Sequence, residues 1–459
     1  MSLYEKKYDA IIIGTGAAGS KIAYGLSKER WKVAIIDKRP FGGTCSQRGC
    51  DPKKILNGAA QIVKSSQLMK GSGIRKQAYI VWDDLVKFKD TFTDPIPANT
   101  KKAFEKKGIH YYSGTAKFVS KSKISINKKN ITANYFIIAA GQKPVKLNIP
   151  GEEHIKISDD FFDLIKLPKE LIFIGGGYIS FEFAYIASMA GSNVTILQRG
   201  NSVLNNFDHG LTTLLLKNCK EDNIKIIYNV NVKTVIRKNS KFELEYEIDN
   251  KKHKILAGCI FNTAGRKADI DELDTETAGI KINVKGIVVN DQLQSISNPT
   301  VYSAGDSASN LKLIPLTPEA TMAAGIVLNN LLHKKKQKIK KYPVPSAVYT
   351  IPPLASVGLT EDKALKSNIK VKIKVGNTSD FFSSKRLKLK NTGYKIIFDE
   401  HHKKILGAHV YGHNSDEVIN LFSIFIERKI PVEEIQKFIF AYPTYSSDIN
   451  TMIKPDIKK

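Results

Sequence analysis

Two stretches of the chain share one order of apolar and polar positions, which predicts a strand, a glycine turn, a helix and a second strand. In the first stretch the apolar runs 10–13 and 33–36 flank the turn GTGAAG and a helical segment. In the second, the runs 171–174 and 194–197 flank GGGYIS and another helical segment. Short apolar runs bounded by glycine turns are typical of buried parallel strands. The pattern therefore predicts two β-α-β units in an α/β protein.

The glycines of the first unit have the G-x-G-x-x-G spacing of a dinucleotide-binding turn, at Gly14, Gly16 and Gly19. The first glycine permits a tight turn, the second lets the backbone approach a pyrophosphate, and the third lets the helix pack closely on the strand. Asp37 ends the second strand, where a carboxylate can accept hydrogen bonds from ribose hydroxyls. We therefore predict that this unit binds a dinucleotide.

The second unit has Gly175 and Gly177, with Ser180 at the third position, and its second strand ends in Gln198-Arg199. A strand that ends without a carboxylate and beside an arginine favours the 2′-phosphorylated nucleotide, NADPH. Two dinucleotide units in one chain can pass a hydride between their ligands. The alternative is a duplicated scaffold with one inactive site.

Three further strand-like segments are predicted, one between the two units and two after the second unit. Residues 135–144 predict a strand that ends the first domain, and 261–270 predict a return to it. Residues 298–308 predict a strand followed by Gly305-Asp306, whose carboxylate can meet a ribityl hydroxyl of a flavin.

The last part of the chain carries no nucleotide-binding turn. Residues 315–332 predict a turn and a helix, and the lysine-rich residues 334–341 predict an exposed linker. From Tyr342 onward, short strand-like runs alternate with helical segments near 415–428 and 432–438. This order predicts a separate α+β domain.

Length, charge and the distribution of apolar residues indicate which classes of protein the chain does not resemble. The 459 residues exceed what one hydrophobic core usually serves. The formal net charge of +27 comes from lysines spread along the whole chain, and no helix-turn-helix, zinc-finger or RNA-binding signature accompanies them. The start, MSLYEKKYDAIIIG, has no signal-peptide pattern, and no run approaches the ~18 apolar residues of a membrane span. We expect a cytoplasmic protein without a specific nucleic-acid partner, membrane association or bound metal.

Two of the four cysteines, Cys45 and Cys50, lie close together in the segment 42–54, GGTCSQRGCDPKK. In a reducing compartment such a pair is more often catalytic or metal-binding than structural. An undistorted helix rises ~7.5 Å over five residues, which exceeds the ~7 Å that a disulfide spans. Gly49 and Pro52 are among the residues that permit a bend. We predict a redox-active pair, the alternative being two unrelated buried thiols.

Six motifs occur in order across essentially the whole chain: GTGAAG, GGTCxxxxCxPxK, AAGxxP, GGGYISFE, SAGD and YPTYS. Together they resemble class I of the pyridine nucleotide-disulfide oxidoreductases, which includes glutathione reductase, dihydrolipoamide dehydrogenase and mercuric reductase. The resemblance implies an α/β fold with two Rossmann-like domains, for FAD and NAD(P)H, and a C-terminal α+β dimerisation domain. It also implies a role in redox homeostasis and a homodimer whose active sites are completed by the partner subunit. The implied domains are 1–145 and 266–340 for FAD, 146–265 for NAD(P), and 341–459 for dimerisation.

The resemblance also assigns roles to residues. It makes Cys50 the thiol nearest the flavin, Cys45 the interchange thiol that attacks the substrate, Lys54 the lysine beside flavin N5, and Glu182 the carboxylate that pairs with Lys54. The predicted cofactor-binding residues lie in the glycine turns and at strand ends: Gly14, Gly16, Ala17, Ala18, Gly19, Asp37, Gly43, Thr44, Lys54, Ala140, Gly141, Gly175, Gly177, Tyr178, Ile179, Gln198, Arg199, Gly265, Arg266, Gly305 and Asp306.

One departure from the family pattern bears on the substrate. Disulfide reductases of this family carry a histidine before a C-terminal proline and a glutamate four residues after it, as an acid–base pair. Here Tyr442 and Ser447 stand at those positions, and Asp448 follows one residue later. Tyrosine is a poor base at neutral pH because a phenol titrates near pH ~10, although Tyr442 can donate a proton.

The function predicted from the sequence is reduction of a small-molecule disulfide, or of another thiol-reactive acceptor, by NADPH through FAD and the two thiols; NADH is the other possible donor. One alternative is a reductase whose flavin acts directly on a quinone, oxygen or a metal ion, with the thiols as modulators. Another is a basic flavoprotein that binds nucleic acid or membrane and has vestigial catalysis.

Overall fold

The computed structural model describes residues 6–310, 312–401 and 403–454. The chain divides into two compact units. The first unit takes its described residues from Met1–Pro52, Phe88–Val145 and Gly265–Lys341, and the second from Lys53–Lys87, Lys146–Ala264 and Tyr342–Lys459.

The helices of the described residues are, in chain order, α1 (Ala17–Lys28), α2 (Gly43–Arg48), α3 (Cys50–Leu68), α4 (Trp82–Thr93), α5 (Ile96–Lys106), α6 (Tyr178–Met189), α7 (His209–Glu221), α8 (Thr317–Leu332), α9 (Glu361–Leu365), α10 (Phe382–Lys385), α11 (Ser415–Glu427), α12 (Val432–Ile435) and α13 (Ile449–Ile453). Short 3-10 turns occur at Glu152–His154, Ser158–Phe161 and Gly305–Ser307.

The strands are β1 (Lys6–Ile13), β2 (Val33–Asp37), β3 (His110–Ser113), β4 (Lys117–Ser120), β5 (Lys123–Ile126), β6 (Lys129–Ile138), β7 (Gln142–Pro144), β8 (Lys156–Ile157), β9 (Glu170–Ile174), β10 (Asn193–Leu197), β11 (Ile224–Ile227), β12 (Asn231–Lys238), β13 (Lys241–Ile248), β14 (Lys251–Ala257), β15 (Cys259–Asn262), β16 (Arg266–Ala268), β17 (Ile282–Asn283), β18 (Gly286–Val288), β19 (Val301–Ser303), β20 (Ala308–Ser309), β21 (Ser346–Val348), β22 (Leu354–Gly358), β23 (Val371–Asn377), β24 (Gly393–Asp399) and β25 (Lys404–Tyr411).

The first unit is built on a sheet in the order β3-β2-β1-β6-β5-β4, with β19 also paired to β6. The central strand β1 pairs in parallel with β2 and β6, so that Ala10 lies opposite both Val33 and Tyr135. Ala10, Ile11 and Ile12 are fully buried, as expected for a parallel strand covered on both faces. Helix α1 connects β1 to β2 and packs on α8. The first β-α-β unit predicted from the sequence is therefore confirmed.

The second unit contains a parallel sheet in the order β11-β10-β9-β15-β8. Helix α6 connects β9 to β10, which confirms the second predicted β-α-β unit. An antiparallel ribbon, β12-β13-β14, belongs to the same unit. Parallel strands whose glycine turns lie at their carboxyl ends form the usual frame of a dinucleotide site.

The C-terminal part of the second unit is an antiparallel sheet in the order β21-β22-β25-β24-β23, with α11 packed on β22 and β25. This is the α+β arrangement expected from the sequence. The buried Lys395 on β24 lies 2.7 Å from Asp208 and also pairs with Glu361. A lysine at such a depth needs this pairing, because an unpaired buried ammonium is strongly destabilising.

The lysine-rich residues 334–341 are exposed, as predicted, except for Ile339. The Ile339 side chain is buried and its N–H donates to the carbonyl of Asp291 at 2.7 Å. None of the helices in the described ranges combines the length and apolarity that crossing a membrane requires.

Candidate active site

The two thiols predicted to be redox-active lie on either side of a break between helices. Helix α2 carries Cys45 and ends at Arg48, and α3 begins at Cys50. Between them Gly49 has φ −144° and ψ −116°, and a Cβ at this position would lie 2.9 Å from the Thr44 carbonyl oxygen. The bend expected between the two cysteines is therefore present, and it depends on the absence of a side chain at Gly49.

The two cysteines are in the thiol form and differ in exposure, with Cys45 half-buried and Cys50 exposed. The hydrogen bond to Cys50, together with burial, raises the pKa of Cys45, while a hydrogen bond to Thr317 opposes this shift. The Thr317 hydroxyl also lies 3.8 Å from Cys50 Sγ. Because Thr317 opens α8, the end of the helix that favours anions lies beside the thiols. Our sequence reasoning missed Thr317, although the turn PLTP before a predicted helix was a usable signal.

The glycines of the first turn divide into two groups. A Cβ at Gly14, where φ is +105°, would lie 2.1 Å from the Ala139 carbonyl oxygen, and one at Gly19 would lie 1.9 Å from the Gly14 oxygen. A Cβ at Gly16 would instead meet nothing closer than Gly43 Cα, at 3.8 Å. Gly14 and Gly19 are therefore required by packing, whereas Gly16 leaves room for a ligand beside the N-terminus of α1. These residues fit the pyrophosphate of FAD.

Asp37 stiffens the same turn. Its Oδ2 accepts hydrogen bonds from Thr15 N at 2.8 Å and Thr15 Oγ1 at 2.6 Å, and its Oδ1 accepts from Arg39 N at 2.9 Å. A carboxylate has about four acceptor positions, so capacity for a ribose hydroxyl remains.

Asp306 lies in the turn after β19 predicted to meet a flavin. Burial raises the pKa of Asp306, and the positive charge of Arg266 opposes the shift. Arg266 Nη2 donates to the Gln142 carbonyl at 2.5 Å, and Gln142 Nε2 donates to the Asp306 carbonyl at 3.4 Å. Arg266 and Asp306, far apart in sequence, thus occupy one region of the first unit.

The remaining predicted cofactor residues occupy the turns of their own units. In the first unit these are Ala17 and Ala18 in the first turn of α1, Gly43 and Thr44 in the first turn of α2, Ala140 and Gly141 between β6 and β7, Gly265 before β16, and Gly305 after β19. In the second unit, Tyr178 and Ile179 begin α6. Their contacts with cofactors stay predictions.

The glycine turn of the second unit, like that of the first, contains one glycine that packing requires and one that leaves open space. Gly175 has φ +117°, and a Cβ there would lie 2.6 Å from the Thr263 carbonyl oxygen, whereas a Cβ at Gly177 would meet no atom within 4 Å. Ser180, in place of the third glycine, is fully buried and its Oγ lies 2.7 Å from Thr263 Oγ1. A serine is thus accommodated by a hydrogen bond, and the space at Gly177 fits a nucleotide pyrophosphate.

Both ends of the Gln198 amide bind backbone groups, one in the glycine turn after β9 and one in the loop after β10. Its Oε1 accepts from Gly176 N at 2.9 Å, and its Nε2 donates to the Ser202 carbonyl at 2.7 Å. The next residue, Arg199, is exposed. At the end of β10, the Gln198 amide is thus engaged by the backbone, whereas the Arg199 guanidinium is accessible to a ligand.

The expected ion pair of Lys54 with Glu182 is wrong. Lys53 Nζ lies 2.7 Å from Glu182 Oε2, and Lys54 Nζ lies 2.8 Å from Asp416 Oδ2. The side chain of Lys53 is 11% exposed and that of Lys54 is 48% exposed. The buried cation beside Glu182 is thus Lys53.

The reason is the orientation of α3. Its buried face contains Lys53, Leu56, Asn57 and Ala60, which are spaced as neighbours on one side of a helix. Lys54 is rotated away from this face by one residue. Helical periodicity within the motif could have identified Lys53, because Leu56 and Ala60 mark the face to which it belongs.

The three residues of the C-terminal segment that were considered for acid–base chemistry have different surroundings. The Tyr442 side chain is 81% exposed. Ser447 Oγ donates to the Thr444 carbonyl at 2.6 Å. Asp448 accepts a hydrogen bond from Ser383 Oγ, and burial raises the pKa of Asp448. The Asp448 carboxylate is thus bound within its own domain, whereas the phenol of Tyr442 is accessible.

Two family models match the chain. "Pyridine nucleotide-disulphide oxidoreductase" matches residues 8–324, and the dimerisation domain of the same family matches residues 344–453. The first match alone covers more than half of the chain.

Relatives extend over nearly the whole chain. A mercuric reductase from Staphylococcus aureus is 27% identical over 96% of this chain and 81% of its own length. A glutathione reductase from Yarrowia lipolytica is 28% identical over 97% of this chain and 98% of its own length. The solved structure of a Cu(II) complex of the HOCl-induced flavoprotein disulfide reductase RclA from Escherichia coli is similar, with a TM-score of 0.87, 25% identity, and coverage of 98% of this chain and 99% of that one.

The fold, the glycine turns and these matches agree, and they confirm the α/β fold class with its C-terminal dimerisation domain. The chain belongs to the pyridine nucleotide-disulphide oxidoreductase family, whose members are NAD(P)H-dependent flavoprotein oxidoreductases that use FAD.

Proposed function

We propose that this protein uses NADPH to reduce a disulfide, or another acceptor that reacts with thiols, through FAD and the Cys45–Cys50 pair. The observation that carries the proposal is the pair itself, two hydrogen-bonded thiols at the α2–α3 break. Bound FAD would accept a hydride from the nicotinamide and pass two electrons to a disulfide.

The thiols then carry the electrons to the acceptor. Two electrons and two protons convert the Cys45–Cys50 bridge into two thiols. The Cys45 thiolate attacks one sulfur of the acceptor disulfide, forming a mixed disulfide and releasing the first product thiol. The Cys50 thiolate attacks the Cys45 sulfur, which releases the second product thiol and restores the bridge. The Thr317 hydroxyl assists by stabilising a thiolate.

Lys53 is the lysine that we propose to lie beside the flavin, in place of Lys54. Its ammonium is buried and paired with Glu182, whereas that of Lys54 pairs with Asp416. A buried cation stabilises negative charge on a reduced cofactor more than an exposed one, because water screens it less.

The proposed preference for NADPH rests on Arg199. The Gln198 amide is engaged with Gly176 and Ser202, so the accessible cation at the end of β10 is Arg199. A guanidinium recognises a phosphate through charge-assisted hydrogen bonds. Faster flavin reduction by NADH than by NADPH would contradict this part of the proposal.

We further propose a homodimer formed through the domain that contains β21–β25, with Tyr442 contributed to the partner's active site. The match to the family's dimerisation domain and the exposure of Tyr442 support it. Sedimentation velocity is expected to give twice the 51.1 kDa of the chain. A monomer that is fully active would contradict it.

A second candidate is direct reduction of a metal ion, quinone or oxygen by the flavin, with the thiols as modulators. The similarity to a solved Cu(II) complex favours a metal ion among these acceptors. Tyr442 at the position of the family's histidine also favours acceptors whose reduction does not require a base there.

One experiment separates the candidates. The enzyme is reduced anaerobically with NADPH and offered glutathione disulfide, lipoamide, coenzyme A disulfide, metal ions and quinones. Replacing Cys45 or Cys50 by alanine is expected to lower turnover of the best acceptor by at least about 10³-fold, since loss of a catalytic nucleophile can cost up to about 10⁶ in kcat. The buried thiol Cys219 gives the control, Cys219→Ala. Full turnover by Cys45→Ala would establish the flavin-direct candidate instead.

A further inference from the structure

Asn57 is a fully buried amide on the inner face of α3. Its Nδ2 donates a hydrogen bond to the backbone carbonyl of Tyr349, at 2.8 Å. Its Oδ1 has no hydrogen-bond partner among the residues that the structure describes. Burying an amide with one polar atom unsatisfied costs free energy that a leucine of similar size would avoid. The bond to Tyr349 is therefore the feature that distinguishes asparagine from leucine at this position.

Tyr349 connects Asn57 to the ion pair of Lys53 and Glu182. The Tyr349 N–H donates to Glu182 Oε1 at 3.0 Å, and Lys53 Nζ donates to Oε2 of the same carboxylate at 2.7 Å. Lys53 and Asn57 are four residues apart on α3 and lie on the same face of that helix. Hydrogen bonds therefore link Asn57 through Tyr349 and Glu182 to Lys53, and each oxygen of the buried carboxylate has its own donor.

The side chain of Tyr349 contacts the neighbouring lysine as well. The centroid of its ring lies 4.0 Å from Lys54 Nζ and 5.2 Å from Lys53 Nζ. A cation over the face of an aromatic ring is attracted by the ring quadrupole. Tyr349 thus holds Lys54 with its ring while its backbone N–H holds Glu182 toward Lys53.

We propose that Asn57 is a positioning residue that acts through Tyr349 to keep Glu182 paired with Lys53 and apart from Lys54. When the Asn57 amide is removed, the Tyr349 carbonyl loses the hydrogen bond from Asn57, and the N–H that orients Glu182 becomes less fixed. The inference rests on the proposed function in one respect, since Lys53 is proposed there to stabilise the reduced cofactor.

The first test measures geometry without cofactor chemistry. Limited acylation by acetic anhydride, followed by peptide mass spectrometry, gives the ratio of Lys53 to Lys54 labelling. The native ratio is expected to be low, since Lys53 is the more buried of the two. Asn57→Leu is expected to raise the ratio about threefold, because Lys53 then spends more time away from Glu182.

The second test measures the two-electron reduction potential of the FAD-loaded enzyme by equilibration with a reference dye. Asn57→Leu is expected to lower the equilibrium constant for FAD reduction about tenfold, which lowers the reduction potential by about 30 mV for a two-electron couple. Lys53→Met removes the cation altogether and gives the limiting shift for comparison.

Two further variants control for general loss of stability. Asn218 is also buried, and its Nδ2 donates to Tyr411 Oη at 2.8 Å in the same unit. Asn218→Leu removes this bond together with those to the Lys390 carbonyl and from Asn391 Nδ2, and it is expected to leave both readouts at native values. Asn57→Ser serves as the second variant where Asn57→Leu fails to fold.

The two readouts distinguish two kinds of failure. A native labelling ratio in a folded Asn57 variant would overturn the positioning role, whatever the enzyme reduces. A raised labelling ratio with native potentials in both Asn57→Leu and Lys53→Met would support the positioning role and overturn the proposed flavin role of Lys53. A raised ratio with a lowered potential supports both.

Discussion

The two glycines of the second nucleotide turn allow folding and ligand binding to be tested separately. Gly175 has φ +117°, and a Cβ there would lie 2.6 Å from the Thr263 oxygen and 2.7 Å from Ala264 Cα. Gly177 has φ −88° and ψ 176°, which any residue can adopt, and a Cβ there would meet no atom within 4 Å. Gly175→Ala is therefore expected to perturb the fold, whereas Gly177→Ala fills space in which we propose that the nucleotide binds.

The two substitutions are expected to change the free energy of unfolding in opposite directions and by different amounts. For Gly175→Ala, backbone strain of about 1–3 kcal/mol adds to about 1–3 kcal/mol of overpacking, so the free energy of unfolding falls by about 2–6 kcal/mol. For Gly177→Ala, the unfolded chain loses freedom at no steric cost, so the free energy of unfolding rises by about 0.4–1 kcal/mol. The same methyl group keeps a pyrophosphate from the backbone, and we expect nucleotide affinity to fall at least about tenfold, or ~1.4 kcal/mol.

Urea denaturation followed by circular dichroism measures the stabilities, and calorimetric titration with NADP+ measures binding. The reasoning is refuted if Gly177→Ala unfolds as early as Gly175→Ala, or if it binds NADP+ with the native affinity. Gly16→Ala offers a parallel case in the first unit, because its Cβ would meet no atom closer than 3.8 Å, and FAD content then reports binding.

Four further predictions concern single side chains. Thr317→Val removes a bond that lowers the pKa of Cys45, so alkylation of the reduced protein by iodoacetamide should move to higher pH, and Thr317→Ser should restore it. Arg199→Ala should raise KM for NADPH about tenfold and leave KM for NADH unchanged in steady-state assays, since charge-assisted bonds to a phosphate contribute about 1.5–3 kcal/mol. Lys395→Met should destabilise the protein by about 3–5 kcal/mol in urea, because the buried carboxylate of Asp208 loses its cation; a native midpoint would contradict this. Burial lowers the pKa of His409 in the folded protein. The contribution of neutral His409 to the free energy of unfolding is therefore complete above the unfolded pKa of ~6.5 and is lost as pH falls through the lower folded pKa. In His409→Gln, the urea midpoint should fall less on acidification than in the native protein.

The elements that follow from local physics were predictable from the sequence. Apolar runs and glycine turns predicted β1-α1-β2 and β9-α6-β10, because a tight turn between a strand and a helix restricts backbone conformation and side-chain size at a few positions. The break at Gly49 was also predictable, since an unbent helix cannot bring its two flanking thiols together.

The sequence could not show which residues from distant segments come into contact in the folded protein. The helical spacing of Lys53 with Leu56 and Ala60 marks Lys53 as the inward-facing lysine, but it does not show that Glu182 is the group that Lys53 meets. Thr317 approaches the thiols from 267 residues away in sequence, and Asn57 reaches Tyr349 across 292. No local pattern specifies such partners, because they are decided by how distant segments pack.

The double use of Gln198 has a consequence for any attempt to change the nicotinamide preference of this protein. The obvious exchange, Gln198→Glu, would supply the carboxylate that binds an unphosphorylated ribose. A carboxylate could still accept from Gly176 N, but its second oxygen would face the Ser202 carbonyl, where an amide N–H now donates. Two acceptors in contact repel, so the loop after β10 would move together with the binding site. Nucleotide specificity in this chain is therefore coupled to loop stability, and a productive redesign must change residue 198 together with the backbone path of the loop that presents the Ser202 carbonyl.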